Sequence, residues 1–153
     1  MELYNHKGDS AMEAVYVNWL AVVLAAAAAW ILGSLWYAKP VFGAMWMKLA
    51  KVESNKKTMR PLPVALVIAF GAWLLAALVV AHIAALANAF YDVDALSTAL
   101  NTAFWLWVGI SLTTIVLHDT FEGRHWKVSF INSSYQFFGL LVVGLIIGLF
   151  GGF

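Results

Sequence analysis

The sequence predicts an all-α membrane protein: a four-transmembrane-helix bundle with a short interfacial amphipathic helix after helix 1. Two observations carry this. The 153-residue chain is 63% hydrophobic but only 11% charged, against about 25% charged in an ordinary soluble domain. The few charges are also not scattered. They leave uncharged windows at Ala14–Ala38, Pro61–Tyr91, Ala95–Leu117 and Val128–Phe153. Each window exceeds the ~20 residues that cross a hydrocarbon core ~30 Å thick. In lipid a helix satisfies its own backbone polar groups. A water-soluble bundle needs a polar face along every helix, and these windows supply none.

Residues 1–13 read as a polar N-terminal extension and 14–153 as a single transmembrane domain, with spans at about 15–38, 62–90, 95–117 and 128–151. A signal peptide is not expected. Lys7 is offset by Glu2, Asp9 and Glu13, and the first window is too long for an h-region. The chain has no cysteine, so disulfides, thiolate metal sites and cysteine nucleophiles are excluded.

Span one carries Ala25, Ala29 and Gly33 as a small-residue ridge at four-residue spacing. Such ridges let helix backbones approach closely where lipid provides no hydrophobic force between helices. The connection that follows, "KPVFGAMWMKLAKVESNKK", repeats Phe42, Met45, Trp46 and Leu49 at helical spacing, with Lys48 and Lys51 among them. This predicts a short helix in the inner headgroup region, Phe42 and Trp46 toward the acyl chains and Lys48 toward anionic lipid. Span two holds His82 in a run of Ala and Leu, a position more typical of a structural hydrogen bond than of a ligand. In span three, Trp107, Ser111, Thr114 and His118 share one face at α-helical spacing. In span four, Ser129, Asn132, Gln136 and Gly139 share another, about a third of a turn from a GxxxG ridge at Gly144 and Gly148.

The basic residues set the orientation. Lys39, Lys48, Lys51, Lys56, Lys57, Arg60, Arg124 and Lys127 all fall in the first and third connections, while the second has none. The positive-inside rule places those connections in the cytoplasm and both termini outside. Two short motifs, Gly43-x-x-Trp46 and Gly123-x-x-Trp126, each follow an outside-to-inside span and suggest a weak internal repeat.

The third connection, "HDTFEGRHWK" at 118–127, concentrates the titratable groups. His118, Asp119, Glu122 and Arg124, with Ser111, Thr114, Asn132 and Gln136 above them, form the candidate polar or ligand site. The spacing matches no zinc signature, and no metal or cofactor is expected. His118 and Asp119 are neighbours that point about 100° apart on a helix, so they make no ready dyad. The plain reading is a wet turn closing the hairpin, with His118 capping the polar face and Arg124 and Lys127 pairing with Asp119 or Glu122.

The stretches "NWLAVVLAAAAAWILGSLWYAKPVFGAMWMK" and "LHDTFEGRHWKVSFINSSYQ" resemble the DUF1761 family of small prokaryotic membrane proteins. The likeness rests on Asn18-Trp19, Gly33-x-x-Trp36-Tyr37, Phe42-Gly43, Trp46-Met47-Lys48, His118-Asp119, Phe121-Glu122-Gly123-Arg124 and Asn132. Ala38-Lys39-Pro40 stands where such proteins often have Ser-Pro. The resemblance implies an integral protein of the prokaryotic inner membrane and brings no activity, substrate or cofactor with it. The leading expectation is a structural, accessory or self-associating membrane protein. The alternatives are a small transporter or ligand-binding protein with a polar site between helices 3 and 4, and a membrane enzyme using His118, Asp119 and Glu122. Expected partners are membrane lipids and a second copy or partner membrane subunit, with no nucleic acid.

Overall fold

The computed structural model describes residues 16–52, 60–91 and 93–150; the polar N-terminal extension lies outside them. Four helical spans cross the structure: α1 (Trp19–Trp36), α3 (Leu62–Tyr91), the nearly continuous α4–α5 (Ala95–Leu106 and Thr113–Phe121) and α6 (Trp126–Phe150). A short helix, α2 (Ala44–Leu49), follows α1.

Local chemistry sets the ends. The Asn18 side chain accepts from the backbone N–H of Leu20 and Ala21, so α1 starts at Trp19, later than the 15 that hydropathy indicates. It stops at Trp36, short of the expected 38, with Tyr37 as the C-cap. Pro40 then opens a π-helical turn at Lys39–Gly43 that swings the chain into α2. A Cβ on Gly43 would lie 2.1 Å from the Tyr37 carbonyl oxygen, so only glycine fits this turn. On the opposite end the Asn88 amide donates to the Val93 carbonyl and the Asp94 carboxylate accepts from the Ser97 N–H at 2.9 Å. That capping bond holds the Asp94 carboxyl below its ordinary pKa.

The third span differs most from expectation. The helix runs to Phe121 rather than ending at 117, so His118 and Asp119 are helical and only residues 122–125 form the turn. Charge at a membrane surface does not end a helix. Gly123 does, at φ +64°, while the Arg124 N–H bonds back to the Asp119 carbonyl. Gly43, by contrast, sits in right-handed helical geometry, so the two Gly-x-x-Trp motifs are not conformational copies.

The interior is built of small residues. Ala25, Ala26, Ala29, Ala77, Ala84, Ala99 and Ala103 have no exposed surface, and Val22, Val80 and Val143 pack among them. α6 touches α1, α3, α4 and α5. Gly144 lies on the Ala99 carbonyl and the Ala103 methyl, and Gly148 on the Leu96 backbone, so the α6 glycine ridge is consumed against α4. Large apolar side chains face outward: Leu20, Leu35, Val67, Leu75, Trp105 and Phe130 are each more than 60% exposed. An apolar surface of this extent is incompatible with water and suits lipid.

Candidate functional site

Two polar constellations are built around α6. The first is interior. Asn132 presents its side-chain oxygen to two donors, the Tyr37 hydroxyl at 2.9 Å and the Trp46 indole N–H at 3.0 Å. An amide oxygen has two lone pairs, so both bonds form without competition. One turn further, the Tyr135 hydroxyl accepts from Trp73 Nε1 at 2.6 Å and reaches the Ala29 carbonyl at 3.4 Å. The rings interlock edge to face: Tyr37 on Trp46 at 5.4 Å, Tyr37 on Tyr135 at 5.2 Å and Trp73 on Tyr135 at 5.7 Å. Glycines make the room. A Cβ on Gly33 would meet the Tyr135 hydroxyl at 2.3 Å, and one on Gly139 the Trp73 ring at 2.3 Å.

Of the residues singled out in the sequence, this constellation contains Asn132, Gly33, Gly139 and Trp46. Trp46 turns inward to α6 rather than toward lipid, because Asn132 is the available acceptor. Phe42 stacks on Trp36 at 4.7 Å, and Lys48 stays in α2 beside the cleft described below. Tyr37 stands in the family motif without a role, and Trp73 and Tyr135 are not among the residues the sequence points to, although Asn132, Tyr135 and Gly139 fall at i, i+3, i+7 on one helix face. Gln136 joins no hydrogen bond of the network.

The second constellation lies at the hairpin end. Between α4 and α5 the helix widens into a π segment at Trp107–Leu112. One extra residue in a turn shifts the register by about 100°. Trp107 still faces α6, its indole N–H donating to the Ser133 carbonyl at 3.0 Å. Past the bulge the inward positions are no longer Ser111, Thr114 and His118. Thr114 and His118 are exposed, Ser111 is only half-buried, and Asp119 takes the inward place with 8% exposure. The polar face expected from α-helical spacing therefore does not lie opposite Asn132 and Gln136.

Asp119 Oδ1 lies 3.5 Å from Arg124 Nε, which also contacts Glu122 Oε2 at 2.5 Å. Asp119 Oδ2 is buried with no hydrogen-bond partner. Asp119, Thr120, Arg124, Trp126 and Ser129 line a cavity of about 230 Å³. Val116, Trp126 and Ser129 continue into an adjoining groove of about 580 Å³ between α4–α5 and α6, lined further by Trp107, Leu112, Phe130, Phe137 and Phe138. A separate cleft of about 730 Å³ between α2 and the α5–α6 turn takes Lys48, Lys51, Glu122, Arg124 and His125. His118, Asp119 and Glu122 thus do not converge, and among the described residues no three His, Asp or Glu side chains gather to hold a metal ion. Lys127 pairs with neither carboxylate; its ammonium lies 5.7 Å from the Trp126 ring centre.

Helical spans, an outward apolar surface and an interior polar network define a multi-pass α-helical membrane protein. The chain belongs to the DUF1761 family, described as "Protein of unknown function", whose model matches residues 20–148. No curated protein and no solved structure matches it.

Proposed function

We propose that the protein is a non-enzymatic structural component of the prokaryotic inner membrane, acting as an accessory subunit or by self-association. Supporting this reading, of the residues that the transport alternative would line a path with, Asn132 is tied up by Tyr37 and Trp46, and Thr114 faces outward. Asn132, Tyr37, Trp46, Trp73 and Tyr135 fill the space between α1, α2, α3 and α6 with mutual hydrogen bonds and ring contacts. The Gly144–Gly148 ridge is spent inside the chain on α4, so any association uses the outward faces. Lys39, Lys48, Lys51, Arg60, Arg124 and Lys127 gather at one end of the bundle, which the positive-inside rule assigns to the cytoplasm with both termini outside.

Native mass spectrometry of protein extracted from its own membrane in mild detergent tests the association. A defined oligomer or a stoichiometric membrane subunit is the expected result. A bare monomer that also shows saturable solute uptake in proteoliposomes overturns the reading in favour of transport. Orientation has its own test: cysteine replacing Val93 should react with an impermeant thiol reagent in intact cells, and cysteine replacing Glu122 should not. The reverse labelling pattern places the basic end outside.

A further inference from the structure

We propose that the cavity beside Asp119 and the groove it joins between α4–α5 and α6 together bind one phospholipid of the cytoplasmic leaflet whose headgroup carries a primary ammonium, of the ethanolamine type. This goes beyond the structural role above, and only its choice of leaflet rests on the orientation proposed there. The argument starts from Asp119. Its side chain is nine-tenths buried, one oxygen faces Arg124 Nε at 3.5 Å, and the other has no donor. A buried carboxylate oxygen without a donor is an unfavourable state that an incoming N–H relieves. Rotation about the terminal Asp torsion is soft, so either oxygen can turn to the cavity while its twin keeps Arg124.

Around that carboxylate the rest of a zwitterionic headgroup site is present. Arg124 meets both carboxylates through Nε. The two terminal nitrogens of its guanidinium, donors well shaped for phosphate, remain. Lys127 adds positive charge over the Trp126 ring, 5.7 Å from its centre, and His125 stacks on the same ring.

Depth and continuity point to a lipid rather than a free solute. The Ala95–Phe121 span has 27 residues, about 40 Å at 1.5 Å per residue, so its last turns emerge from a ~30 Å core into the headgroup layer. The headgroup cavity shares Val116, Trp126 and Ser129 with the groove above it, whose walls are mostly aromatic, with Leu112, Val116 and three serines, Ser129, Ser133 and Ser134. That places an apolar channel of about 580 Å³, a size typical of ligand sites, where the acyl chain of the same molecule would lie.

The chemistry also selects among phospholipids. A glycerol headgroup brings neutral hydroxyls, which can donate to Asp119 but do not offset its charge, and leaves the lipid with a net negative charge beside the carboxylate. A choline headgroup brings a cation with no N–H to donate. The ammonium form alone gives Asp119 a donor that also carries the opposite charge, while its phosphate meets Arg124.

The test is native mass spectrometry of delipidated full-length protein titrated with ethanolamine, choline and glycerol phospholipids of identical acyl chains. The ethanolamine lipid should bind roughly tenfold more tightly than the choline lipid, the equivalent of one hydrogen bond to a charged group. Asp119→Asn should erase that preference, and Arg124→Gln should weaken all three lipids. Ser129→Phe, which fills the cavity and leaves the carboxylate in place, should abolish the preference as well, guarding against an Asp119 variant that fails to fold. Equal binding of the three lipids overturns the proposal. So does a preference for the glycerol lipid, or an ethanolamine preference that survives both Asp119→Asn and Ser129→Phe.

Discussion

The Trp73 indole donates to the Tyr135 hydroxyl at 2.6 Å, and its ring lies where a Cβ on Gly139 would stand. One tryptophan thereby joins α3 to α6 twice, by a hydrogen bond and by filling a glycine notch. Hydrogen bonds between helices in lipid average only about 0.6 kcal/mol, because the separated helices also find partners. The notch is worth more than the bond, since filling it forces the helices apart. Tyr135→Phe is therefore expected to lower the stability in detergent by about 0.5–1 kcal/mol. Gly139→Leu should be far more damaging, with loss of the folded species on heating well below the parent. Comparable melting of the two variants would show that Trp73 does not sit in the notch.

Asn132 holds two donors from two different segments, Tyr37 after α1 and Trp46 in α2. Asn132→Leu strands both. The expected loss is about 1–3 kcal/mol, the penalty for leaving part-buried donors unmet. Its signature is local. Without the Asn132 oxygen α2 loses its side-chain hydrogen bond to α6, so amide exchange over Ala44–Leu49 should accelerate before that of α1 or α3. Unchanged exchange in α2 would mean that the Trp46–Asn132 bond does not anchor it.

Gly144 approaches the Ala99 carbonyl and the Ala103 methyl so closely that an added Cβ would lie 2.8 Å and 3.0 Å from them. That contact is within one chain. Gly144→Leu should accordingly reduce thermal stability at every protein concentration, in the range of about 1–3 kcal/mol or more for overpacking. A variant that keeps the parent's melting temperature and only dissociates an oligomer would move the glycine ridge to an interface between copies.

Some of this was legible in the sequence and some was not, for physical reasons. Hydropathy reads the spans because lipid imposes a length on every uncharged window, and their charge-free stretches give the number directly. It misplaces ends, because caps such as Asn18 and Gly123 act over single residues and leave no mark in a window average. It cannot see the π segment at Trp107–Leu112. That single insertion moves Asp119 into the place that α-helical spacing assigned to His118 and turns Thr114 out of the bundle. The interior network escaped for a different reason. Its members Tyr37, Trp73 and Tyr135 are aromatic residues in a chain with eight tryptophans and five tyrosines, and nothing in their own spacing separates an interior donor from an interfacial anchor. Gly33 is legible only as part of a small-residue packing ridge and Gly139 only as a member of the polar face, and neither spacing names the ring that fills it.

Asp94 caps α4, and its carboxyl sits below the ordinary value of 3.8 chiefly because the Ser97 N–H bonds to the charged form. The position of the charge at a helix N-terminus favours the anion further. A group whose pKa falls on folding stabilises the fold while it is ionised in both states, so the full contribution is present above about pH 4. It declines as pH drops below the unfolded value and is lost through the lower folded one. Asp94→Asn keeps a capping acceptor and removes the charge. The melting temperature of the parent should therefore exceed that of Asp94→Asn at pH 6, and the difference should shrink toward zero as the pH is taken down through 4 and below. A difference that does not change with pH would mean that the cap acts through its shape alone, with no contribution from the carboxylate charge.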